Sequence, residues 1–284
     1  MNRAAFVNAL ALAKARGVVP KRLPRAAEPL AQQRRYAKRI KRRVLEDAMR
    51  LVRAKLVPEL ERLAESTSKV GHAKPETDAA KTDDLGDILD EISRDYYDKW
   101  TRREFVKLVR PVAVEVEMFE AAQLNKQLSA ALGEALSIDV VGNEPWLSDA
   151  VANFTRENVG LIRSIPEQFF ADLEKTLSKE IADGARWEDL AAGVEERYNV
   201  SESRAELIAR DQVSKFNGDL NRTRQQELGI DRFIWRTMGD ERVREEHVDY
   251  NGQSYTWEDA PEGGPGEPVQ CRCYADPDVL SALE

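Results

Sequence analysis

Apolar residues recur at three- to five-residue spacing between residues 28 and 65. Ala37, Ile40, Val44, Ala48, Leu51 and Leu56 make one stripe, which predicts a long amphipathic helix. Upstream, Phe6 to Ala13 is apolar but is interrupted by Asn8 and followed by Lys14 and Arg16. That pattern suits a short amphipathic helix better than a secretory leader. Pro20 and Pro24 separate the two segments. Residues 66–86 are polar, with little that could enter a core, and predict a linker. Helical spacing resumes over 87–132 through Ile88, Ile92, Tyr96, Trp100, Phe105, Leu108 and Val109, and Pro111 is expected to kink or split that helix. Val112 to Glu117 alternates like a strand, but its flanks are helical, so helix is the reading. Gly142-Asn-Glu-Pro145 predicts a turn. Further helices are predicted over 146–163, with Pro166 opening 166–183, Gly184 ending it, and then 187–198. Ser203-Arg-Ala-Glu206 has the spacing of a capping box, opening a helix that ends at Gly229.

After Ile230 the pattern changes. Phe233–Thr237, Ser254–Trp257 and Cys271–Ala275 read as short strands. Met238-Gly-Asp240 reads as a turn, Arg242–Tyr250 as a helical turn or two, and Asn251-Gly252 as a hairpin signal. Pro261 to Pro268 must be loop. The fold class predicted is mainly α, with a long helical N-terminal and central region and a small α+β domain at the C-terminal end. The corresponding divisions are a basic helical arm over 1–65, a polar linker over 66–86, a helical body over 87–200, and the α+β domain over 201–284.

Charge alters this picture by dividing it. The chain carries 43 Lys and Arg against 51 Asp and Glu, a net −8. Residues 1–60 hold 16 of the basic residues against only 4 acidic ones. A basic arm on an acidic body implies two surfaces with different partners. Arg34, Arg35, Lys38, Arg39, Lys41, Arg42 and Arg43 crowd ten positions of the long helix. They are candidates for sequence-independent contact with DNA phosphates, or for packing on an acidic protein. No run of about 18 apolar residues exists, so no membrane-spanning helix is expected.

Both cysteines, Cys271 and Cys273, lie in the last twenty residues, and His247 is one of two histidines. A bridge between cysteines two apart would be strained and close almost no loop, so reduced thiols are expected. In a strand, positions i and i+2 face the same side. Both thiols could then meet one zinc ion with His247, and with Asp240, Asp249 or Glu267 as a fourth ligand. The other reading is that the cysteines are small buried apolar residues and His247 is hydrogen-bonded in a turn. The run from Asp240 through Arg242 and Arg244 to His247 offers bidentate donors for a phosphate or a partner carboxylate, or a polar network that locks a small domain. Arg210, Asp211 and Gln212 read as a solvated helix face or a tie to the C-terminal unit.

Together these pieces resemble the Mu-F-type minor head proteins, the head morphogenesis family of tailed bacteriophages. The resemblance rests on Glu157-Asn-Val-Gly-Leu-Ile-Arg-Ser-Ile-Pro166 and on Ser203 to Gln212 with Arg210, Asp211 and Gln212. It continues through Ile234-Trp-Arg-Thr237 with Trp235, Gly239 to Arg244 with Asp240, Arg242 and Arg244, then His247, and Gly266-Glu-Pro-Val-Gln-Cys-Arg-Cys273. It implies a minor capsid protein rather than an enzyme, made in the bacterial cytoplasm and located in the virion, at the portal vertex inside the capsid. The implied partners are the portal protein, double-stranded DNA, and other capsid or scaffold proteins, with a role in genome packaging or delivery. Some proteins with this domain carry an additional toxin domain, and none is expected here. The alternative reading is a metal-dependent enzyme acting at His247, Cys271 and Cys273.

Overall fold

A stripe that repeats every four residues does not stay on one face of an ordinary α-helix, because each step overshoots a full turn by about 40°. The long helix of this protein resolves the mismatch. The computed structural model of the chain describes residues 3–17, 23–62, 75–132, 144–183, 185, 187–279 and 281. After α1 (Arg3–Ala15), helix α2 runs over 30–62 and contains two π-helical stretches, Lys41–Leu45 and Val52–Leu56. These wider turns absorb the extra residues. Tyr36, Ile40, Val44, Ala48, Val52, Leu56 and Leu60 are all buried as a result. Tyr36 and Val52, rather than Ala37 and Leu51, complete the predicted stripe.

The remaining elements are α3 (Pro75–Lys99), α4 (Arg102–Leu132), α5 (Leu147–Ala182), α6 (Trp187–Leu228), β1 (Arg232–Arg236), α7 (Glu245–Tyr250), β2 (Ser254–Thr256), a 3-10 turn (Pro261–Gly263) and β3 (Tyr274–Pro277). The mainly α fold with a small α+β C-terminal part is borne out. Several boundaries differ from expectation. Residues 66–74 of the expected linker lie outside the described residues, and from Pro75 the chain is helical, with the proline at the first helical position it tolerates best. Pro111 and Pro166 sit inside α4 and α5 without splitting them. Buried Val109, Val112 and Ala113, and Ile162, Ile165 and Phe169, pack on either side, and this burial outweighs the roughly 3 kcal/mol cost of an interior proline. The break falls instead at Trp100–Thr101. Ser203 opens no helix. It lies within α6, and its hydroxyl donates to the Asn199 carbonyl, 3.1 Å away. The predicted turn residues Gly142 and Asn143, Gly184, and Pro20 lie outside the described residues.

The chain forms two compact units. One comprises residues 35–109 and 155–208. Its core sets the α2 stripe against Tyr96, Trp100, Phe105, Phe169 and Phe170. Two buried tyrosine hydroxyls inside it are paired: Tyr36 donates to Asn158 Oδ1 at 3.0 Å, and Tyr96 to the Val44 carbonyl at 3.2 Å.

The other unit comprises residues 1–34, 110–154 and 209–284. The predicted N-terminal helix buries Phe6, Ala9, Leu10 and Ala13 against Leu124, Leu128, Leu132, Leu228 and Ile230. Gly229 ends α6 as expected, with φ of +82°. The sheet is three-stranded and antiparallel in the order β2-β1-β3. Phe233 pairs with Tyr255 on one side and Pro277 on the other, and Trp235 pairs with Ala275. One face of β1 therefore buries Phe233 and Trp235 with Trp257 and Ala275. Asn251-Gly252 joins α7 to β2 rather than two strands, and the Gly252 N–H donates to the Trp235 carbonyl at 2.8 Å. β3 starts at Tyr274, so the cysteines precede the strand that was expected to contain them.

Candidate metal centre

The site is built on the central strand. Trp235, in the middle of β1, presents its ring edge-on to His247, with ring centres 5.4 Å apart and planes at 74°. Tyr250, one turn along α7 from His247, stacks on the imidazole at 5.9 Å. The imidazole is thus fixed between two aromatic rings and only 2% exposed. Its Nε2 lies 3.3 Å from Glu262 Oε2 on the 3-10 turn. A carboxylate at Nε2 holds the proton there and leaves the Nδ1 lone pair facing the other way.

That other side holds the cysteines. Cys271 Sγ is 3.6 Å and Cys273 Sγ 3.3 Å from His247 Nδ1. Among the described residues, these three form the one group of ligand atoms suited to a metal ion, all within 4.8 Å of one another. Tetrahedral zinc, with bonds of about 2.3 Å to sulfur and about 2.0 Å to nitrogen, places S and N about 3.5 Å apart. The donor set and both sulfur–nitrogen distances therefore fit zinc.

The thiols reach this position through loop geometry. Asp211 on α6 accepts the backbone N–H of Gln270 at 2.8 Å, and Gln212 and Lys215 bond the same carboxylate. Gln270 is thereby held at φ +58°, a left-handed conformation unfavourable for a side-chain-bearing residue. The chain turns there and delivers Cys271 inward. Gly266, at φ +99°, passes close to Gly218 of α6, where a Cβ would lie 3.3 Å from the Pro265 carbonyl. Small residues on both sides let the loop approach the helix.

Electrostatics favour one negative charge on the pair. The hydrogen bond from Cys273 brings the Cys271 thiol down to about 6, against the opposing effect of burial. The backbone N–H groups of Cys273 and Gly266 assist. Cys273 moves upward, because its proton bonds the Cys271 sulfur and burial disfavours a second thiolate.

Of the residues anticipated from sequence, His247, Cys271, Cys273 and Trp235 come together. Asp240 stands outside the group, paired with Arg272 and held below the usual carboxylate range by that guanidinium. Asp249 and Glu267 also lie outside it. Glu262 was not anticipated, and only its place in the Gly/Pro-rich loop facing His247 distinguishes it. Arg210, Arg242, Arg244 and Arg272 line a cleft of about 360 Å³ together with His247 and both cysteines. Of the seven basic residues on α2, Arg34, Arg35, Lys38, Arg42 and Arg43 are exposed and Arg39 is half-buried. Lys41 is engaged with Glu206 at 2.6 Å and Glu202 at 3.5 Å.

Residues 171–275 match the family described as "Phage Mu protein F like protein". The match includes every residue of the Cys/His group and of its cleft. The Glu157–Pro166 segment precedes it. An uncharacterized protein of Haemophilus influenzae is 34% identical over 161 residues, covering 55% of this chain. The alignment spans 36% of that relative's length. No solved structure matches the chain. No helix among the described residues is long and apolar enough to cross a membrane.

Proposed function

We propose that this chain is a minor head protein that associates with the portal vertex inside the procapsid and assists genome packaging or delivery. The observation that carries the proposal is the match of 171–275 to the Mu-F-like family, with the Cys/His group inside the matched segment. In this reading zinc is held by His247, Cys271 and Cys273 and acts as a clasp. It ties the loop before β3 to α7 and so stiffens a small sheet that has a limited core of its own. The exposed cations Arg35, Lys38, Arg42 and Arg43 of α2 contact DNA phosphates without reading sequence. The partners are the portal protein, double-stranded DNA, and other capsid or scaffold proteins.

A metal-dependent enzyme is the second reading, because three protein ligands lining an open cleft are also the pattern of catalytic zinc. Hydrolysis there needs a general base within reach of a bound water. No Asp or Glu among the described residues lines the cleft, and Glu262 is engaged on the far nitrogen of His247. Binding is therefore the better-supported role. Mass spectrometry of purified virions and of procapsids assembled with and without portal tests the proposal. The chain is expected at low copy in virions and in portal-containing procapsids. Its absence from both would overturn the assignment.

A further inference from the structure

The cleft over the Cys/His group is lined by four arginines, and the described residues pair only one of them with a carboxylate. Arg272 is neutralised by Asp240 and approached by Glu28 at 3.9 Å. Arg210, Arg242 and Arg244 form no salt bridge among the described residues, and the Arg210 Nε is buried without a hydrogen-bond partner. Arg244 spends one N–H on the Val269 carbonyl, at 2.7 Å. A buried guanidinium N–H without a partner is costly, and the cost is removed when an acceptor arrives. Between the arginines lie Val243 and Val269, the latter 58% exposed. Apolar surface beside forked cationic donors suits a ligand that brings carboxylates and apolar side chains together. A nucleic-acid backbone offers phosphates but nothing for the valines, and the exposed cations of α2 already provide a surface of that kind. At about 360 Å³ the cleft is at the small end of ligand pockets, which run from about 300 to 1,000 Å³. It accommodates a few side chains rather than a folded surface.

We propose that this cleft is a docking site for a short acidic and apolar peptide segment of a partner protein, with Arg210 and Arg242 gripping its carboxylates and Val243 and Val269 contacting its apolar side chains. The inference stands on the cleft itself and holds whether or not the partner is the portal.

The test is fluorescence anisotropy of the full-length protein with a labelled hexapeptide of alternating leucine and glutamate. A matched leucine–glutamine peptide, inorganic phosphate and a duplex DNA oligonucleotide serve as competitors. The acidic peptide is expected to bind, and the glutamine peptide roughly ten- to hundredfold more weakly, the size of a charge-assisted bond. Arg210→Ala should cost a similar factor. Arg242→Glu, a change at an exposed position that leaves the fold intact, should do the same, while Arg35→Ala should leave peptide binding unchanged. Phosphate should compete only weakly. Equal affinity for the two peptides, no binding of either, or displacement by duplex DNA that depends on Arg242 would overturn the proposal.

Discussion

Two arginine sites in the same compact unit show opposite uses of the same side chain. Arg224 on α6 is fully buried and meets three carboxylates: Glu117 at 2.8 Å, Glu144 at 2.7 Å, and Glu120. It also donates to the Glu117 carbonyl at 3.2 Å. Arg210, fourteen positions earlier on the same helix, meets no carboxylate among the described residues and faces a cleft together with Arg242 and Arg244. The first arrangement is saturated and joins α4, the segment at Glu144 and α6 into one core. The second is left unsatisfied at the mouth of the metal group. The charge of Arg224 is consumed by the fold, whereas Arg210, Arg242 and Arg244 meet no carboxylate among the described residues.

The largest expected effect comes from emptying the saturated site. Arg224→Met leaves three carboxylates close together with no cation, and should destabilise the protein by about 3–5 kcal/mol in denaturant unfolding. Arg242→Ala in the cleft should change stability by no more than about 0.5 kcal/mol. Similar losses at the two positions would break the comparison. Next in size is the metal group. Cys271→Ser together with Cys273→Ser should abolish zinc bound in elemental analysis and lower the unfolding temperature, though by less than Arg224→Met. The packing of His247 between Trp235 and Tyr250 does not depend on the ion. Unchanged stability in chelator, with no zinc in the protein as purified, would remove the clasp.

A pH experiment sharpens the comparison further. Burial raises Glu120 above the ordinary carboxylate range even though Arg224 and Asn221 pull the other way. A carboxyl whose folded value is raised binds more protons when folded than when unfolded. Its contribution is therefore full below the unfolded value and is lost as pH rises through the folded one. Stability should fall with rising pH across that window, and Glu120→Gln should flatten the slope. An unaltered slope in the variant would place the titration elsewhere. The smallest effect on stability is expected on α2. Replacing Arg35, Lys38, Arg42 and Arg43 by alanine should leave the fold intact. It should reduce the salt dependence of DNA binding by about 0.9 in logarithmic slope for each phosphate no longer neutralised, roughly 3 to 4 in total. Substitution is the proper test, because Tyr36, Ile40 and Val44 are core residues and deletion of this segment would remove them.

The fold was legible in sequence where periodicity is long and uninterrupted. The apolar spacing predicted the α2 helix, but the strict four-residue step that goes with its π turns emerges only with Tyr36 and Val52 in place of Ala37 and Leu51. Prolines and caps misled because they are local signals. Pro111, Pro166 and Ser203 are ordinary breakers or starters, and the buried residues flanking them carry the helices through. Thr101-Arg-Arg-Glu104 has the same capping-box spacing as Ser203 to Glu206, and it does stand at a helix start. Spacing alone does not distinguish the two; the core does. The metal group was legible from residue type, although neither cysteine lies in a strand. The thiols converge on His247 because Asp211 holds Gln270 in a left-handed turn before β3 begins. Glu262 and the cleft were hidden, since both depend on where a Gly/Pro-rich loop returns to the sheet.

The most direct test of the head-assembly account is to co-express the chain with the portal protein of the same phage and analyse the mixture by size-exclusion chromatography with light scattering. The account predicts co-elution at a defined ratio, with binding retained when the α2 cations are replaced. Separate elution of the two proteins across salt and pH would contradict it.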